Sequence, residues 1–219
     1  MWKKHIRGAF FTQSVFLITD RKNHIYNRRN VVKWRKRKSA ENGETADLEK
    51  EETNMYFGVQ MYGVSKEWKQ DPEGFLKKIY EAGYRQIEPC LGFRVDARDY
   101  GFWIPEDLEQ AMPLLAKYHI EVHAVHIFLD EYHYERELAI LTELAQKYHI
   151  SWFVVKSPAR LTKDVLDETA ARYRELAEEL EKAGAGLLIH NEKEDICIRV
   201  NGKTAYEYLL EACGEKVGA

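Results

Sequence analysis

From Met55 onward, apolar and polar positions alternate in blocks. Short apolar runs begin near Phe57, Arg85, Glu121, Trp152 and Leu187. Between them the apolar residues recur at helical spacing. Strand-like runs separated by helix-like stretches, one unit every ~30 residues, predict βα units and a parallel sheet.

The helices are signed at their ends. Asp71 is placed to cap the first, Pro72 fits its first position, and Glu73 suits the positive helix end. Phe75, Leu76, Ile79 and Tyr80 form one apolar face, and Gly83 is the expected stop. A second helix is predicted from Glu106 to Tyr118, with Leu108, Met112, Leu115 and Ala116 inward. Pro113 lies inside it, so a kink or a late start is expected. A third runs from about Glu131 to Tyr148 on Leu138, Leu141, Leu144 and Ala145. A fourth runs from about Asp164 to Ala183 on Leu166, Tyr173, Leu176, Ala177 and Leu180, and stops at Gly184. A short repeat, Lys117-Tyr118-His119-Ile120 and Lys147-Tyr148-His149-Ile150, joins a helix to a strand twice. His119 and His149 are read as structural, since a cation is favourable at a helix C-terminus.

Charge divides the chain. Residues 1–54 carry a net +6 and residues 55–219 a net −9. The first segment is therefore expected to be a basic, disordered leader, and the second to be the folded domain. Within the leader, Trp2-Lys3-Lys4 before Ala9-Phe10-Phe11 and Val15-Phe16-Leu17-Ile18 faintly resembles a signal peptide, but Asp20-Arg21-Lys22 follows instead of a cleavage site. Lys33-Trp34-Arg35-Lys36-Arg37-Lys38 could form a nucleic-acid patch, the plainer reading being a solvated tail. A third reading is favoured. Lys50-Glu51-Glu52-Thr53-Asn54 can be encoded by a purine-rich ribosome-binding sequence and spacer, which makes Met55 the expected initiator. Three cysteines, Cys90, Cys197 and Cys213, with no CxxC, suit a reducing, cytoplasmic setting. No apolar run approaches the ~20 residues of a membrane span.

Chemistry is expected at the carboxyl ends of the strands. The first strand presents Gln60 and Tyr62, the second Glu88, and the third His126, which faces oppositely to His123. Lys156 ends the fourth strand. His190, Glu192, Glu194 and Asp195 follow Leu187-Leu188-Ile189 on the fifth. Each has a plainer reading: Glu88 leaving the sheet before Pro89, His126 as a core histidine, Lys156 as a strand end, and some of the carboxylates as solvated loop charge. Imidazoles and carboxylates converging from several strands suit a divalent metal, Zn, Mn, Co or Mg. Such an ion polarises a carbonyl and stabilises an enediolate while a carboxylate moves a proton.

Several segments resemble the sugar phosphate isomerase/epimerase proteins of the xylose isomerase-like TIM-barrel superfamily. They are Gly58-Val59-Gln60-Met61-Tyr62-Gly63-Val64, Asp71 to Ile79, Ala82 to Glu88, Val125-His126, His190-Asn191 and Asn201 to Leu210. The likeness covers essentially all of 55–219. It implies an α/β fold, an incomplete (β/α)8 barrel of about five βα units. It also implies a small carbohydrate substrate and metal-assisted proton transfer next to a carbonyl. Glu88 and His126 would be catalytic, Gln60, Tyr62 and Lys156 would bind substrate, and His190, Glu192 and Asp195 would hold the metal. The family's His-Asn-His is here His190-Asn191-Glu192, and Asp195 stands where a Glu is expected. The family also continues past Ala219 with further strands carrying an acidic ligand, a His and a last carboxylate. Two alternatives stand beside the isomerase: an inactive fragment that needs a missing C-terminal half, and an abasic-site endonuclease-like hydrolase. The net −9 of 55–219 disfavours a phosphate-backbone partner. The oligomeric state stays open.

Overall fold

The computed structural model describes residues 15–19, 55–129 and 133–219. The basic run 33–38 and the purine-coded stretch 50–54 lie outside those residues, as do residues 2–11 of the signal-like segment. The chain divides into two compact units, one of Met55–Val122 together with residues 15–18, the other containing His123–Ala219.

In the first unit, β1 (Val15–Thr19), β2 (Met55–Gln60), β3 (Gln86–Glu88) and β5 (Glu121–Val122) lie side by side in that order. β2, β3 and β5 are parallel, with Gln60 beside Glu88 and Ile87 beside Val122. β4 (Cys90–Gly92) follows β3 after Pro89 and bridges at Leu91 to Trp103. Helix α1 (Ser65–Gln70) brings Trp68 onto Trp103, with ring centroids 4.8 Å apart. Helix α2 (Pro72–Glu81) starts as its sequence predicts. The Asp71 carboxylate accepts the Gly74 N–H at 2.9 Å, and Phe75, Leu76 and Ile79 are buried. Gly83 ends it at φ +96°, a left-handed conformation that favours glycine.

Helix α3 (Pro105–Lys117) begins at Pro105 and runs through Pro113, so the late start is not realised. Its buried stripe is Leu108, Ala111 and Leu115, spaced three and four apart; Met112 is only half-buried and Ala116 is exposed. Arg98 grips Asp107 with two hydrogen bonds, at 2.8 and 2.7 Å, and Asp107 also accepts the Ile104 N–H at 3.0 Å.

In the second unit, β6 (Ala124–Phe128), β7 (Trp152–Lys156), β8 (Gly186–His190) and β11 (Val217–Gly218) are parallel neighbours. The run that begins at Glu121 is thus two strands broken at His123, with β5 pairing β3 and β6 pairing β7. Helices α4 (Tyr134–Tyr148) and α5 (Lys163–Lys182) follow β6 and β7. Buried Val125, Ile127, Phe153, Val155, Leu187 and Ile189 share one face of these strands, with Leu141, Leu144, Leu166, Leu176 and Leu180 buried on the helices. Removing such side chains from water is worth ~1.5–3 kcal/mol each and drives the layering. After β8 come a short helix, α6 (Lys193–Cys197), a small antiparallel ladder of β9 (Arg199–Val200) and β10 (Lys203–Thr204), and α7 (Ala205–Cys213). Thr204 and Glu207 cap α7 reciprocally: the Glu207 N–H donates to Thr204 Oγ1 at 3.0 Å, and the Thr204 N–H donates to Glu207 Oε2 at 3.1 Å.

His119 and His149 have φ of +50° and +56°. Each turns the chain from a helix toward a strand in the left-handed region, a backbone role beyond the charge effect expected of them. Among the described residues, no helix is long and apolar enough to cross a membrane.

Candidate functional site

Strand register assembles the second unit's candidates. His126 lies beside Val154, and Val154 beside Leu188; two residues on, Lys156 lies beside His190. Side chains alternate along a strand, so His126, Phe128, Val154, Lys156, Leu188 and His190 share one face. The opposite face is the one packed with Ile127, Val155 and Ile189. His126 is 4% exposed and deeply set, whereas His190 is exposed at the strand tip. The two imidazoles meet edge to face, centroids 5.2 Å apart. Phe128 stacks on His126 at 5.0 Å. The Lys156 ammonium lies 5.9 Å from the Phe128 ring centre and 2.7 Å from a Glu192 carboxylate oxygen.

The strand ends are held from behind. Tyr173 of α5 donates its hydroxyl to the Lys156 carbonyl, and Tyr206 of α7 donates to the Ile189 carbonyl at 2.9 Å. Burial pushes both phenols above their ordinary value, and the Asp195 carboxylate adds to the rise. Asp195 itself is 3% exposed and accepts the Glu192 N–H at 3.0 Å, so it caps α6 from the third helical position. Glu194 is exposed.

The first unit presents Gln60, Tyr62 and Glu88. Glu88 is 7% exposed at the end of β3, in register with Gln60 on β2. The Gln60 amide is committed at both ends: its oxygen accepts the Tyr62 N–H and its nitrogen donates to Cys90 Sγ, each at 3.1 Å. Tyr62 is 53% exposed, with its ring 5.6 Å from that of Phe102. Two residues were not singled out from sequence. Phe128 is visible as the position two after His126 on an alternating strand. Cys90 as an acceptor for Gln60 carries no local signal, because the partners are 30 residues apart.

No family model and no curated protein matches the chain. Solved structures do. A sugar phosphate isomerase/epimerase from Parabacteroides distasonis aligns with a TM-score of 0.58 at 20% identity, over 73% of this chain and 62% of that protein. A xylose isomerase-like TIM-barrel protein from Mycobacterium smegmatis, in complex with magnesium, aligns with a TM-score of 0.50 at 16% identity, over 74% of this chain and 62% of that one. The chain has the xylose isomerase-like TIM-barrel fold. It spans about three-fifths of the length of these two structures. The five βα units expected from the hydrophobic pattern correspond to the strands and helices of this fold.

Within the xylose isomerase-like frame, the three expected metal ligands do different jobs. Glu192 pairs with Lys156, and Asp195 is turned onto the Glu192 backbone. His190 faces His126. Among the described residues, no three His, Cys, Asp or Glu side chains are grouped so that they could hold a metal ion. The donor set His190, Glu192 and Asp195 does not fit a divalent ion in this arrangement.

Proposed function

We propose that this chain belongs to a sugar isomerase or epimerase that moves a proton next to a carbonyl. The observation that supports it most is His126, buried midway along β6 and edge-on to His190, within a fold shared with a sugar phosphate isomerase/epimerase. A buried imidazole is suited to proton exchange with a bound ligand. A general base takes the proton from the carbon beside the carbonyl. The C–H electron pair becomes the C=C bond of an enediol, and the carbonyl π pair moves onto oxygen. His126 protonates that oxygen, giving the enediol, and then takes a proton from it: from the neighbouring hydroxyl for isomerisation, from the same oxygen for epimerisation. Return of the carbon proton to the neighbouring carbon isomerises the sugar; return to the opposite face of the same carbon epimerises it. In the first unit, by itself, the Gln60 amide oxygen accepts the Tyr62 N–H and leaves the Tyr62 ring exposed. No step is routed through a metal, because the expected ligands are engaged elsewhere. A cytoplasmic setting suits Cys90, Cys197 and Cys213, none of which forms a disulfide.

The test is solvent exchange. The protein is incubated with ketoses, ketose phosphates and related keto sugars in D2O, and deuterium entry at the carbon beside the carbonyl is followed by NMR. Exchange is expected with at least one substrate, falling by ~10²–10⁴-fold in His126→Asn. Exchange that survives this substitution, or no exchange with any keto sugar, sinks the assignment.

A further inference from the structure

The carboxyl ends of β7 and β8 hold a cation, the Lys156 ammonium, paired with the Glu192 carboxylate. Lys156 and His190 are strand neighbours, and Glu192 lies two residues beyond His190. The Lys156 ammonium sits 2.7 Å from Glu192 and within reach of the Phe128 ring face at 5.9 Å. That distance is inside the range of cation–π attraction. Its backbone is fixed too, since Tyr173 donates to the Lys156 carbonyl. An ammonium carries three donors, so one bond to Glu192 leaves it able to donate to a substrate oxygen.

The same contacts oppose a divalent ion. A cation approaching Glu192 must displace the ammonium or sit beside it, and both raise its energy. Asp195 is turned onto the Glu192 N–H and offers no replacement ligand from its place in α6.

We propose that the positive charge at this strand end is the protein's own: Lys156, positioned by Glu192 and Phe128, does the work of the divalent cation that His190 and Glu192 would otherwise bind. Its ammonium meets the oxygen on which negative charge develops as the enediolate forms. Lys156 is then the charge-stabilising residue and Glu192 its positioning residue. This rests on the proton-transfer reading, but its test does not require turnover.

The experiment is Mn2+ titration of the full chain, read by the loss of the free-ion electron paramagnetic resonance signal. Wild type, Lys156→Gln, Lys156→Arg and Lys156→Gln/Glu192→Gln are compared, with folding checked by circular dichroism. Wild type is expected to bind Mn2+ poorly. Lys156→Gln releases Glu192, two residues from His190, and should bind about tenfold tighter or more, the size of effect that ligand-shell changes produce. Lys156→Arg keeps the charge and should resemble wild type, and the double variant should lose the gain. Tight Mn2+ binding by wild type that His190→Ala abolishes overturns the proposal. So does a Lys156→Gln protein that binds no better than wild type. The pair is 39% and 40% exposed, so the substitutions leave the buried core untouched. If solvent exchange is absent but Mn2+ behaves as expected, the enediolate role falls with the proton-transfer reading, and the replacement of the divalent cation by Lys156 stands.

Discussion

Replacing Asp195 with alanine tests how the β8 turn is held. Asp195 is almost wholly buried, and its carboxylate accepts the Glu192 N–H at 3.0 Å. That N–H opens a helix of five residues, which is too short to persist by helix propensity alone. Alanine removes the acceptor and leaves the donor without it. Losing a cap costs ~0.5–2 kcal/mol, and an unsatisfied buried donor ~1–3 kcal/mol. The two describe the same broken bond and are not summed, so about 2 kcal/mol is expected. Asparagine keeps an acceptor oxygen and should cost less than half as much. The assay is urea unfolding followed by circular dichroism, with the slope unchanged and the midpoint lowered. A second reading comes from Tyr206, whose phenol is raised by burial first and by the Asp195 charge second. In Asp195→Ala its titration, followed by ultraviolet difference absorption against a Tyr206→Phe control, should move down. An alanine variant within ~0.5 kcal/mol of wild type, the range of an unremarkable surface substitution, refutes the capping argument. A drop in stability without a shift in Tyr206 would place the carboxylate away from that ring and refute the electrostatic part.

Other outcomes follow from the same contacts. Burial raises the Tyr134 phenol to about 12, with Glu175 and Glu179 adding to the rise, and Tyr173 and Tyr206 are raised as well. Above pH 10 the unfolded chain loses these phenolic protons while the folded chain keeps them, so stability must fall as pH climbs from 10 toward 12. Urea midpoints at pH 9, 10 and 11 check this, and a flat profile contradicts it. His149→Val puts a β-branched residue at φ +56° and should cost ~1–2 kcal/mol, whereas His149→Gly should be tolerated. Equal melting temperatures for the two variants would show that the backbone there relaxes freely.

What could be read from the linear sequence was mostly local. Asp71-Pro72 opens α2 legibly because the partner of the Asp71 carboxylate, the Gly74 N–H, lies three residues on. The strand cores are legible because Val154 and Val155 or Leu187 and Ile189 are apolar whatever they touch. The break at His123 was not, since Glu121 to Phe128 reads as one apolar run and only pairing with different neighbours divides it. Met112 and Ala116 were expected inward because they are apolar and suitably spaced, but the orientation of α3 turns Ala111 in instead. Candidate residues were found by strand-end position, and their jobs were set by register. Nothing near Lys156 in sequence announces Glu192; they meet because Lys156 and His190 lie side by side on β7 and β8. Asp195 was the converse case. Its place three residues after Glu192 is a helix-capping spacing, legible in principle, whereas the family resemblance puts it where a metal-binding Glu is expected.

The hydroxyls of Tyr173 and Tyr206 reach the carbonyls of Lys156 and Ile189 from helices on the far side of the strands. Those bonds touch only backbone oxygen, and every amino acid at 156 or 189 supplies the same oxygen. The scaffold of the β7 and β8 tips is therefore indifferent to which side chains stand on its working face. A combinatorial library at 156, 190 and 192 should retain a large folded fraction, so side chains at this edge can be exchanged at little cost to the fold.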